Sequence, residues 1–250
     1  MDEALKELLY KMADDLLIIG HRNSEWTGLG PILEEDIAFS SMAQDKIGQS
    51  QVIYQILNKL GESEPDIVAF TRNANQFHNC QFVELPIGEY DFSLMRQFLF
   101  DLAEWHRWDS LSGSSFEPIA QAAKKFRGEI RYHNMHAKSL IKVLGNATDE
   151  SIQRLQKSLD ESIPFALGIF ELSPFEELLI NENIFKGELK LKEKWQSSVS
   201  EILLETSLIL PDLNEINPVQ GGRTGQHTEH LQPLLDEMSE VLNVDPTAEW

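Results

Sequence analysis

Apolar residues recur along this chain every three or four positions, the spacing that keeps them on one face of a helix. Leu5, Leu8, Leu9, Met12, Leu16 and Ile19 form the first stripe, and Gly20 is the expected end of that helix. After a Gly-rich turn from His21 to Pro31, a second helix is expected from Ile32 to Leu60, stopped by Gly61. Its stripe reads Ile37, Ser41, Asp45, Gly48, Val52 and Ile56, which sets one carboxylate where apolar side chains belong. From Gly61 to Tyr90 the periodicity weakens, with one short helix expected at 66–71. A connection of that length is usually functional or lies at an interface.

A third helix over 91–111 turns Met95, Phe98, Leu99, Leu102 and Trp105 inward, with Asp101 at the edge of the stripe. Ser112 to Ser115 lead into a fourth helix ending at Leu144, so these two are antiparallel neighbours. A fifth helix, capped at Thr148 or Asp149, runs towards Phe170 with a kink or break at Pro164. A second irregular zone holds a short helix from Pro174, and a sixth long helix spans Glu188 to Leu210 before Pro211. A last amphipathic stretch covers 227–242, followed by a polar tail ending in Trp250. No segment shows sustained strand alternation, so the fold class is an all-α bundle.

Composition narrows the function classes. With 250 residues the chain can bury a core without a disulfide or metal staple. Its one cysteine, Cys80, fits a reducing, cytoplasmic setting. No run approaches the ~20 apolar residues of a membrane span, and the first twenty residues are too charged for a targeting segment. A net charge of −20 argues against nucleic-acid binding through phosphate neutralisation. The basic run from Lys186 to Lys194 reads as a solvated helix face.

The chemistry concentrates on FRGEIRYHNMHAKSLIKVLG, from Phe126 to Gly145. Phe126, Ile130, His133, Ala137, Leu140, Ile141 and Leu144 share one stripe, with Glu129 one turn before His133 and with Tyr132 and His136 alongside. Helix bundles hold di-iron or di-manganese sites with a Glu from each of two helices and a Glu-x-x-His from each of two others. Here the pair is Glu-x-x-x-His, and none of the seven histidines has a carboxylate three residues before it. No histidine occurs from Ala137 to Gln226, so the fifth and sixth helices supply no imidazole. Asp45, Asp101, Glu129 and His133 are therefore read as a degenerate site: polar groups that satisfy one another, or hold a lone or adventitious metal, with no dinuclear centre and no catalytic or cofactor-binding residue assigned.

Other signals are weaker. His78 and Cys80 stand two residues apart, which does not make a catalytic dyad. GLGP (28–31) and GGRTG (221–225) follow no strand and are not phosphate loops. The stretch GGRTGQHTEHLQPLLDEM is instead expected to be a partner-docking segment, with Arg223, His227, Glu229 and His230 as candidates.

RTGQHTEHLQPLLDEM also carries a family resemblance. It is joined by EW-x-G and P-x-L-x-x-D (Glu25 to Asp36), AFTR (Ala69 to Arg72), E-x-P-x-G (Glu84 to Gly88) and E-x-RYH (Glu129 to His133). Together these resemble the PaaC family, the structural subunits of the phenylacetyl-CoA epoxidases that act as ring-1,2-monooxygenases in phenylacetate breakdown. The resemblance implies a single ferritin-like domain over 1–250, to which the residues themselves add a C-terminal docking segment at about 211–250. It also implies a structural subunit without cofactor of its own, supporting a homologous catalytic subunit that carries the di-iron centre. A further subunit and a flavin/iron–sulfur reductase would complete the enzyme.

Overall fold

The computed structural model describes residues 1–245, and among them every regular element is helical. In chain order the helices are α1 Asp2–Ser24, α2 Leu33–Lys59, α3 Pro65–Phe70, α4 Gln81–Glu84, α5 Tyr90–Leu111, α6 Glu117–Leu144, α7 Asp149–Gly168, α8 Glu176–Asn181, α9 Glu188–Leu203 and α10 Leu231–Val244. Two compact units result. Residues 1–86 and 221–245 form the first, and 87–220 the second. The segment expected at 211–250 is thus divided between units, and Trp250 lies outside the described residues.

In the first unit α1 and α2 pack along their lengths. Gly20 does not end α1, which continues to Ser24. A Cβ at position 20 would lie 2.8 Å from Ile47 Cγ1 and 3.3 Å from the Ala43 carbonyl oxygen, so the glycine lets the two helices approach closely. The inward face of α2 also differs from the expected stripe. Ala38, Met42, Ala43, Gln49, Ile53 and Leu57 are buried, together with Ile56 of the expected stripe, whereas Ile37, Ser41 and Gly48 are exposed and Asp45 and Val52 are half-buried. One residue turns a side chain by about 100° around the axis, and packing on α1 selected the neighbouring face.

In the second unit α5 is central, packing on α6, α7 and α9. The α6 stripe holds at its centre, with Phe126, Ile130, His133, Ala137 and Ile141 buried. Thr148 caps α7, its hydroxyl accepting from Ser151 N at 3.1 Å. Pro164 does not break that helix, and its carbonyl accepts from Val219 N at 2.9 Å. Helix α9 ends seven residues before the expected Leu210. The chain leaves it because the α6–α7 turn offers better partners: Ser207 N donates to Gly145 O at 3.0 Å and Asn146 Nδ2 to Glu205 O at 2.8 Å. Among the described residues no helix is long and apolar enough to cross a membrane.

Candidate functional site

The densest polar chemistry lies in the first unit, where the irregular stretch after α3 and the segment before α10 meet the middle of α1. Two consecutive acids on α1, Asp14 and Asp15, are fully buried. A buried carboxylate is costly unless paired and hydrogen-bonded, and each of these takes one arginine in a two-pronged grip. Arg72 donates to Asp14 Oδ1 at 2.6 Å and Oδ2 at 3.0 Å, and Arg223 donates to Asp15 Oδ1 and Oδ2 at 2.8 Å each. The planar guanidinium matches a carboxylate in this way, which fixes direction as well as distance.

Further donors complete both acids. Tyr54 of α2 gives its hydroxyl to Asp14 at 2.6 Å, and His78 N donates to Asp14 at 2.7 Å. Cys80 N donates to Asp15, also at 2.7 Å. Burial and the nearby Asp14 charge push the Tyr54 phenol well above its ordinary range, so it stays a donor. Burial alone would lower Arg72, but the Asp14 carboxylate more than offsets this and keeps the guanidinium charged. The Arg72 plane also lies 4.0 Å from the Phe77 ring centroid.

A third acid, Glu84, closes the arrangement at 0% exposure. Its oxygens accept from Asn79 Nδ2 at 2.9 Å and from Thr228 N and Oγ1 at 2.7 Å each. His227 places Nδ1 2.5 Å from Glu84 Oε1 and Nε2 3.0 Å from the Phe77 carbonyl oxygen. From the last turn of α1, Arg22 donates to the Glu84 carbonyl at 2.8 Å and to the His230 carbonyl at 3.2 Å. The glycines of GGRTG serve this closeness: a Cβ on Gly222 would lie 2.3 Å from Asn79 O, and one on Gly225 2.5 Å from Asn75 O.

The expected candidates are distributed as follows. Among the proposed docking residues, Arg223 is buried in the grip on Asp15, His227 is engaged by Glu84, and His230 is half-buried; Glu229 alone is exposed. Asp45 belongs to α2 in the first unit, whereas Asp101 (α5), Glu129 and His133 (α6) belong to the second. Asp101 is buried rather than at an edge, accepts from Gln97 Nε2, and its carbonyl takes Asn134 Nδ2 of α6 at 2.7 Å. Glu129 is half-buried and His133 buried, with the Tyr132 ring 6.2 Å from the rings of both His133 and His136. Among the described residues no group of three or more His, Cys, Asp or Glu side chains is placed to hold a metal ion. These residues therefore do not fit a dinuclear centre, which needs six protein ligands in the four-helix pattern. Cys80 is buried, and burial pushes its thiol well above the ordinary range, so it is no nucleophile at neutral pH.

Residues 1–250 match a family model described as phenylacetic acid catabolic protein. The chain belongs to this family. The phenylacetic acid catabolic proteins include a relative 31% identical over 243 residues, named as the C subunit of 1,2-phenylacetyl-CoA epoxidase in Escherichia coli (strain K12). That match covers 96% of each chain. A second match, 24% identical over 163 residues to the DNA repair protein RecN of Aquifex aeolicus (strain VF5), takes in 27% of that protein and carries no argument. The all-α, ferritin-like fold class is that of the phenylacetic acid catabolic proteins.

In this member of the family, several residues that made the sequence recognisable are the ones that build the buried network. Arg72 closes AFTR, Glu84 opens E-x-P-x-G, and Arg223, His227 and Thr228 lie in RTGQHTEH. Sequence reasoning missed their common purpose, and it missed Asp14 and Asp15 entirely. Two adjacent acids in an otherwise apolar run, Met12 to Ile19, were the available signal. The second unit has a smaller counterpart, also unanticipated. Arg107 of α5 donates to Glu188 of α9 at 2.6 and 3.2 Å and to Glu104 at 3.2 Å, all three buried.

Proposed function

We propose that this chain is the noncatalytic structural subunit of a multicomponent di-iron monooxygenase that epoxidises the ring of phenylacetyl-CoA in aerobic phenylacetate catabolism. The observation that carries this reading is end-to-end similarity to a protein named as an epoxidase subunit, with 96% of both chains aligned. The placement of polar residues supports it. Asp14, Asp15 and Glu84 are saturated by arginines, amides and hydroxyls, and among the described residues the Glu129–His133 pair has no third His, Cys, Asp or Glu placed beside it to hold a metal ion. Exposed apolar side chains at Leu29, Ile32, Leu33 and Ile37 offer contact area to a partner subunit.

In this reading a homologous catalytic subunit carries the di-iron centre, a flavin/iron–sulfur reductase supplies electrons, and the assembly is cytoplasmic. Co-expression with that catalytic subunit and iron analysis of each purified chain test it. Stoichiometric copurification is expected, with iron accompanying the catalytic partner. About two tightly bound irons on this chain would replace the scaffold reading with an oxidase using an unusual ligand set. Failure to copurify would leave a helical adaptor unrelated to oxygenation.

A further inference from the structure

Near the turn joining α5 to α6, a partly open cavity of about 210 Å³ lies within the second unit. Trp105 and Trp108 of α5 form one side, and Ala123, Lys124, Arg127 and Ile130 of α6 the other. On each helix these positions recur at one-turn spacings of three or four residues, so the two rows face each other across an antiparallel pair. Ala123 opposite two indoles is too short to fill the gap. Trp108 is 2% exposed and packs edge-on to Phe126 with centroids 5.5 Å apart, which fixes its ring.

Three side chains there have unmet bonding capacity. The Trp108 indole N–H is buried and has no acceptor among the described residues. An unmet buried donor is costly and calls for a missing water, ion or ligand. Lys124 and Arg127 are exposed and make no hydrogen bond or ion pair among the described residues. Asp109 and Ser112 complete the lining, and the Ser112 hydroxyl is already given to the Asp109 carbonyl at 2.7 Å. Two cations against one carboxylate leave a single net positive charge.

We propose that this cavity is a binding site for a small aromatic monocarboxylate. The ring lies against the indoles, and the carboxylate is held by Arg127 and Lys124. The size suits one ring and its acid group, since a cavity of roughly 150 Å³ holds benzene. Monoanions are favoured over phosphates because Asp109 opposes a second negative charge. The site lies wholly within one unit and stands apart from the proposed function.

Titration of the purified full chain with benzoate, followed by tryptophan fluorescence and by calorimetry, tests the site. Saturable binding is expected, weaker by about tenfold for Arg127→Gln, the loss of one charge-assisted contact. Arg127 is exposed, so this variant keeps its fold, which circular dichroism checks. Benzyl alcohol, with the ring but no charge, and acetate, with the charge but no ring, should each bind at least about tenfold more weakly. Absence of saturable benzoate binding, equal affinity in Arg127→Gln, or acetate binding as well as benzoate would overturn the proposal.

Discussion

Arg72 and Arg223 in the first unit hold irregular chain onto α1, whereas Arg107 in the second unit joins one regular helix to another. The difference follows from what else each segment has to bury. Helix α9 brings its own apolar stripe, Leu191, Trp195, Val199 and Ile202, all buried, and Trp195 also donates to the Leu99 carbonyl at 2.9 Å. Its ion pair with Arg107 adds direction to a docking that burial already favours. The stretch from Thr71 to Cys80 and the one from Gly221 to His230 bring few apolar anchors, chiefly Phe77 and Cys80. Directed, charge-assisted bonds to Asp14, Asp15 and Glu84 must position them. In the first unit, then, buried charge specifies where non-helical chain goes.

That contrast is most exposed to attack at Arg223. Arg223→Met should leave the Asp15 carboxylate buried without its main partner and cost about 3–5 kcal/mol of stability in urea unfolding. Protease cleavage near residues 75–80 should accelerate at the same time, because Cys80 N and the Arg223 guanidinium share Asp15. A loss under about 1 kcal/mol would mean that the segments dock through apolar contact after all. A smaller effect is expected from Tyr54→Phe. It removes one hydrogen bond to Asp14 while Arg72 and His78 N remain, so about 1–2 kcal/mol should be lost in the same measurement.

The smallest effect belongs to the rim of the second unit. Burial alone would raise the Asp91 carboxyl, but hydrogen bonds from Ser158 and Arg154 overcome it and hold the group below its ordinary value. A carboxylate depressed in the folded state stabilises above its unfolded pKa, and that contribution fades as pH falls through the folded value. Wild type should therefore exceed Asp91→Asn in stability at neutral pH, with the gap closing as pH drops below about 4. Thermal unfolding from pH 7 to pH 3 measures the gap, and a constant difference would show that Asp91 acts through packing alone.

Most of the helices were legible from periodicity because their burial is local and repeats every turn. The second, third and fourth long helices lie close to their expected bounds, and the Thr148 cap sits where the side chain type suggested. The errors came where a distant segment made the decision. Gly20 carries a stop signal in sequence, yet Ile47 and Ala43 of α2 need its missing Cβ. Leu204 to Leu210 carry enough apolar residues to continue α9, yet Gly145 and Asn146 take their backbone groups. Helix α10 begins at Leu231 rather than 227, because His227 and Thr228 are committed to Glu84.

The amino-acid sequence by itself determined an all-α chain, the pairing of α5 with α6, the Glu-x-x-x-His spacing of Glu129 and His133 and the family. All of these rest on residue type and on spacing within a few turns. Only the tertiary structure decided what the acids and arginines are for. Asp14 meets Arg72 and Asp15 meets Arg223 across 58 and 208 positions of chain. Side-chain pairing over such separations follows from where helices and loops are packed, and no local pattern encodes it.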